Sequence, residues 1–135
     1  MIFVDTNYFL RYFLDDGSDQ HKKATLLLIS ASKGEKNLTT STLVIFEIFW
    51  VLGSVYKLGK EKKTEIIENL VNMTFIELKE RDLLQKALRI DKLTKLQLED
   101  CYNLVFFQEN KIDKFATFDK KLKKLIGKFS CSKPI

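Results

Sequence analysis

Two patterns meet at the start of the chain, where Ile2-Phe3-Val4 is an unbroken apolar run and Asp5-Thr6-Asn7 ends it with a carboxylate, a hydroxyl and an amide. A short β-rich run with a polar stop reads as a strand buried on both faces, the usual form of a parallel strand in an α/β fold. Residues 8–14 then read as a short apolar helix, closed by Asp15-Asp16-Gly17, where glycine can take a positive φ and the two acids suit a solvated turn. Ser18 or Asp19 caps a second helix over about residues 20–33, with Ala24, Leu27, Leu28 and Ala31 at helical spacing and Gly34 as its stop.

The same alternation continues. Residues 37–40 read as a strand, Ser41-Thr42 as a helix cap, and residues 43–52 as a helix in which apolar residues surround Glu47 for a full turn on either side. Such a helix is expected to be buried nearly all round, and glutamate is almost never fully buried unless paired. A metal, an arginine or a raised pKa would each compensate it. Residues 60–72 form an amphipathic helix with Ile66, Ile67, Leu70 and Val71 inward, residues 73–78 a strand, and residues 80–93 another helix. Leu98-Glu99-Asp100 opens a helix that runs to residue 109. Residues 114–117 read as a strand, and Phe118-Asp119 leads into a helix over 120–126, with Leu122 and Leu125 inward and Gly127 as its stop; residues 128–131 read as an edge strand.

This succession predicts an α/β/α sandwich on a mostly parallel central sheet of four to five strands, joined by right-handed crossovers. Ligands of open α/β sheets bind beyond the carboxyl ends of the strands, which is where Asp5 and Asp119 stand. Each acid also has a plainer reading. Asp5 or Thr6 can simply cap the following helix, and Asp100 suits the first turn of a helix through the macrodipole.

Composition narrows the chemistry. A chain of 135 residues suits one domain spanning 1–135 and is long enough to bury a real core. There is one histidine, His21, and two cysteines, Cys101 and Cys131, lie thirty positions apart with no CxxC, so zinc fingers, HExxH proteases and histidine-based nucleophile systems lose their parts. No GxxxxGK[ST] or GxGxxG is present, and Asp5-Thr6-Asn7 lacks the second aspartate of an aspartyl-phosphate hydrolase. Charged residues interrupt the amino terminus, and the longest apolar run contains Glu47 and is too short for a bilayer, so a cytoplasmic protein without a membrane partner is expected. The net charge of +5 and pI near 9.1 are compatible with a polyanionic partner.

What remains in supply is carboxylate. Two unit charges about 4 Å apart repel by about 4 kcal/mol at an effective dielectric of about 20, so Asp5, Glu47, Asp100 and Asp119 gathered in one cleft would need protons or a divalent cation. All-oxygen ligation points to Mg²⁺, with Mn²⁺ as a substitute.

In this order and spacing the chain resembles the PIN domain nucleases, and in particular the small toxins of VapC type. The matching pieces are Val4-Asp5-Thr6-Asn7, Phe46-Glu47-Ile48, Asp100, and Thr117-Phe118-Asp119-Lys120-Lys121. The resemblance implies that Asp5, Glu47, Asp100 and Asp119 are the catalytic, metal-binding acids, supported by Thr6, Asn7 and Thr117. It implies a Mg²⁺-dependent endoribonuclease, usually homodimeric, held inactive by a small antitoxin; Tyr8, Phe9, Tyr12 and Phe13 are candidates for that contact. Two departures from the pattern stand out: Cys101-Tyr102-Asn103 where small residues are common, and Phe118 where a polar residue is frequent, an aromatic able to stack on a base. Lys120, Lys121, Lys123 and Lys124 would meet flanking phosphates, or else form a solvated helix face. An RNA-maturation nuclease without an antitoxin and an inert nucleic-acid-binding module are the alternatives.

Overall fold

The computed structural model describes residues 1–129, which contain three strands and seven helices in two compact units, Met1–Arg81 and the segment from Asp82 onward. The first unit carries β1 (Ile2–Phe3), α1 (Thr6–Phe13), α2 (Asp19–Ser32), β2 (Leu38–Thr39), α3 (Thr42–Ser54), α4 (Lys60–Val71) and β3 (Ile76–Glu77). The strands form one parallel sheet in the order β1-β2-β3, with Ile2 opposite Leu38, Phe3 opposite Thr39, and Leu38 opposite Ile76. Parallel neighbours joined by helical crossovers make this an α/β fold, as the alternation of patterns requires.

The sheet is shorter than expected. It has three strands rather than four or five, and residues 114–117 contribute a single bridge residue, Phe115, because apart from it and half-buried Thr117 that segment is exposed and has little apolar surface to seat in a sheet. β1 is not buried on both faces. Ile2 and Phe3 are exposed and only Val4 is enclosed, since β1 lies at one end of the strand order and contributes only two residues to the ladder.

α1 packs against α2 and α3, and α3 against α4. Phe9 (0% exposed) is the anchor of α1, while Tyr8 stays exposed and Tyr12 and Phe13 make an edge-to-face pair with centroids 5.0 Å apart. The turn after α1 is built as its residues suggest: Asp15 Oδ1 accepts from the Gly17 N–H, Asp16 Oδ1 from the Ser18 N–H, and Gly17 sits at φ +68°. Ser18 then caps α2 by accepting the His21 N–H at 3.1 Å. Gly53 leaves room on α3 for the Lys63 side chain of α4, whose ammonium lies 4.2 Å from the centroid of the Phe49 ring.

α3 departs from expectation in a way that bears on the site. It is not buried all round: Val44, Ile45, Ile48, Phe49 and Leu52 face the core, and Leu43 (75%), Glu47 and Trp50 (64%) lie on an exposed face. Two large apolar residues on the outer face disguise an ordinary one-sided helix as a buried one.

The second unit carries α5 (Arg81–Leu93, whose first residue closes the first unit), α6 (Leu98–Glu109) and α7 (Lys120–Phe129). Its buried residues include Leu84, Leu88, Leu98, Cys101, Leu104, Leu122 and Ile126. Two expectations fail here. α7 runs through Gly127 to Phe129 instead of stopping, and it buries Leu122 and Ile126 while Leu125 is only half-buried. Four residues separate Leu122 from Ile126, one helical turn, whereas Leu125 falls beside the stripe. The proposed edge strand over 128–131 begins inside α7 and otherwise lies outside the described residues.

Candidate metal centre

Asp5 stands where β1 hands over to α1. Val4 is tied in place from both directions, its N–H donating to the Thr39 carbonyl at 2.9 Å and its carbonyl accepting from the Thr40 hydroxyl at 2.9 Å. Asp5 is the N-cap of α1, with extended backbone (φ −89°, ψ 166°), and its Oδ1 accepts the Thr6 N–H at 2.7 Å. The plainer reading of Asp5 as a cap is thus correct as far as it goes. One carboxylate oxygen does that work, which leaves the other for chemistry.

Thr6 links the two acids of this unit. Buried at 3% exposure, it donates its hydroxyl to Glu47 Oε2 at 2.7 Å while its N–H holds Asp5. Glu47 is therefore beside Asp5 through a hydrogen bond that spans 41 positions of sequence, and it is exposed. The expectation that burial forces a partner on Glu47 is overturned; its place on the outer face of α3 removes the desolvation cost on which that argument rested. Next to this pair, Asn7 lines a groove of about 370 Å³ with Tyr8, Arg11, Gln20 and Lys23.

In the second unit, Asp119 repeats the Asp5 arrangement. Its Oδ1 accepts the N–H groups of Lys121 and Leu122 at 2.8 and 3.0 Å, its carbonyl accepts the Lys123 N–H, and its own N–H donates to the Thr117 hydroxyl at 3.0 Å. Thr117 thereby sets the turn that presents the acid. Phe118, between them, is fully exposed. Asp100 occupies the third position of α6, with Gln97 as N-cap. Partial burial, and after it the neighbouring Asp119 charge, push the Asp100 carboxyl above its usual value of 3.8, and a hydrogen bond from the Gln97 backbone offsets part of the rise.

A raised carboxyl pKa means that the folded protein holds this proton more tightly than the unfolded chain. Stability then falls as pH rises from about 3.8 through the raised value, and above that window the ionised pair is a standing cost. Asp100→Asn is therefore expected to melt at a higher temperature than the parent in EDTA at pH 7, with the gain vanishing below about pH 3.8; equal melting temperatures at pH 7 would refute the cost of ionising Asp100.

Among the described residues, no group of three or more histidine, cysteine, aspartate or glutamate side chains converges closely enough to hold a metal ion. The four acids come as two pairs: Asp5 and Glu47 joined by Thr6, and Asp100 and Asp119 joined by charge. What sequence reasoning missed is the double duty of Thr6 and the helix-capping use of one oxygen of Asp119; for the latter, an acid directly before a helical pattern is the available signal. Of the four lysines of α7 singled out by sequence, Lys121 and Lys124 line a groove described below, while Lys120 is exposed and Lys123 half-buried.

No curated protein matches the chain. Among solved structures, it is similar to VapC20 of Mycobacterium tuberculosis, described as a Sarcin-Ricin loop cleaving toxin, at 18% identity and a TM-score of 0.43 over 93% of this chain and 95% of that one. The PIN domain family matches residues 2–128, a span that takes in both units and all four acids. With that match over nearly the whole length, the chain belongs to the PIN domain family.

Proposed function

We infer that the protein is a nuclease of the PIN class, and more closely a Mg²⁺-dependent endoribonuclease that acts as the toxin of a toxin-antitoxin pair in the cytoplasm. The observation that carries the reading is Thr6, which orients Asp5 through its N–H and Glu47 through its hydroxyl, both at 2.7 Å. Capping alone would need only the first bond.

The donor chemistry fits a hard divalent cation. Every candidate ligand is an oxygen, and burial followed by the neighbouring Asp119 charge raises the Asp100 pKa, a cost of ionisation that a bound cation would offset. On the family pattern, Asp5, Glu47, Asp100 and Asp119 are the residues that would hold Mg²⁺, or Mn²⁺ in its place. Held by these acids, such a cation would supply Lewis-acid activation of water and charge stabilisation at the scissile phosphate. The chain's own residues prepare that step. Asp5 and Asp119 each present a carboxylate whose rotamer is held by backbone N–H groups, and Thr6 holds Glu47 against rotation. Asn7, Arg11 and Lys23 offer polar and cationic contacts in the groove that begins two residues after Asp5, and fully exposed Phe118 offers a ring on which a base can stack next to Asp119 in the chain.

Protein partners are supported by the exposed apolar residues of α3. Leu43 and Trp50 flank Glu47 four residues before and three after it, so an antitoxin or a second copy covering them would also cover this acid. A homodimer is the expected oligomer, and light scattering on the eluting protein checks it. No helix among the described residues is long and apolar enough to cross a membrane.

The test is cleavage of RNA by the purified chain in Mg²⁺, in Mn²⁺ and in EDTA, with Thr6→Val alongside. Valine keeps the shape and loses the hydroxyl. Metal-dependent cleavage is expected to fall about 10- to 100-fold, the scale for losing a residue that orients a ligand, while stability changes by no more than about 1 kcal/mol. Cleavage that persists in EDTA sinks the metal mechanism, and Thr6→Val at full activity sinks the role given to Thr6.

A further inference from the structure

A groove of about 570 Å³ runs along α7 where it faces the end of α5 and the turn that follows, and five lysines line it: Lys92, Lys95, Lys121, Lys124 and Lys128. No carboxylate lines it. We propose that this groove binds the phosphodiester backbone of single-stranded RNA and leads it along α7 to Asp119. The proposal rests on the reading of the protein as a ribonuclease and names where its substrate lies.

Three features carry it. Lys121, Lys124 and Lys128 recur on one face of α7 at spacings of three and four, while Leu122 and Ile126 anchor the opposite face. They span about 10 Å of helix axis, enough to meet successive phosphates rather than a single anion. Lys95 adds charge from across the groove, and among the described residues none of Lys95, Lys121, Lys124 and Lys128 forms an ion pair with a carboxylate. Like charges held together without acids are costly unless a polyanion answers them. Leu93 (83% exposed) lies on the groove wall and gives ribose or base an apolar contact that a purely electrostatic patch lacks.

Polarity follows from α7 itself. Asp119 stands immediately before its first turn and its flank holds the lysines, so a strand seated on Lys128, Lys124 and Lys121 in turn arrives at the acid. An acidic protein segment is the competing occupant; lysines spread along a helix face at near-regular intervals favour a regularly charged backbone.

The experiment measures binding of a fluorescein-labelled oligouridylate to the full chain in EDTA, by anisotropy across a range of salt. The groove variant is Lys95→Gln with Lys124→Gln and Lys128→Gln; the control, equal in charge, is Lys22→Gln with Lys33→Gln and Lys36→Gln, three exposed positions of the first unit. The groove variant is expected to bind about ten- to a hundredfold more weakly at 0.1 M salt, with the slope of log K against log salt shallower by about 2, from roughly 0.7 per phosphate contact on a single strand. The control is expected to change affinity less than twofold, and arginine at the three groove positions to keep it. Equal weakening by both triples overturns the groove, because net charge alone would then explain it. So does a groove variant that binds RNA as the parent does but loses poly-glutamate. Cleavage of the same RNA in Mg²⁺ by the parent chain is the separate check: its failure refutes the ribonuclease reading, whereas the comparison of the two triples refutes the groove.

Discussion

Asp5→Asn is expected to lower RNA cleavage in Mg²⁺ by on the order of a hundredfold or more while the protein stays folded. The first half follows from the proposed site, where the lost charge is one the cation and the reacting phosphate depend on; removing a single group that stabilises developing charge has effects of that size. The second half follows from the local structure. Asp5 also caps α1, accepting the Thr6 N–H through Oδ1, and asparagine caps a helix about as well as aspartate. Asp5→Ala should lose the same activity and about 1 kcal/mol of stability besides. Cleavage assays and thermal melts on the two variants separate chemistry from capping. If Asp5→Asn cleaves at the parental rate, Asp5 is a cap and no more.

Phe9→Ala carries the largest expected cost to the fold. Phe9 is fully enclosed in α1, the helix that Asp5 caps and that packs on α2 and α3. Removing a buried phenyl ring loses its transfer free energy and leaves a cavity, about 3–5 kcal/mol together. At roughly 2–8 °C per kcal/mol for domains spanning this size, the melting temperature should fall by about 6 °C or more. Because Thr6 belongs to the same helix, activity should fall before global unfolding does; Tyr8→Ala, at an exposed position one residue away, should leave the melt unchanged within about 0.5 kcal/mol. A small loss at Phe9 would mean that α1 is not held by its buried face.

The helices and their caps were largely legible in the sequence because their signals are local. Ser18, Ser41 and the turn at Asp15-Asp16-Gly17 do what their side chains favour, and the inward face of α4 is the one its spacing indicates. Glu47 shows where local reading stops. Its apolar neighbours imply burial, yet Leu43 and Trp50 share its exposed face, and hydrophobicity alone does not say on which side of a helix the core lies. β1 fails for a related reason: Ile2 and Phe3 have the residue types of a buried strand, and their exposure is set by the place of β1 at the end of the sheet order, a non-local fact. At the site, the pairing of Asp5 with Glu47 through Thr6 depends on a bond between positions 41 apart, which no spacing rule reaches. The pairing of Asp100 with Asp119 spans a shorter stretch of sequence but is likewise beyond the reach of helical or strand spacing. In both cases the pattern shared with the PIN family pointed to the residues, and the chemistry of each pair had to come from the fold.

The thiol of Cys101 follows Asp100 directly and is sealed from solvent in the first turns of α6. A thiol reagent can reach it only when that part of the helix opens, so its labelling rate in a chain carrying Cys131→Ser is a clock for local opening beside the acid pair. Cys101 thus serves as a natural gauge of how rigidly Asp100 is held.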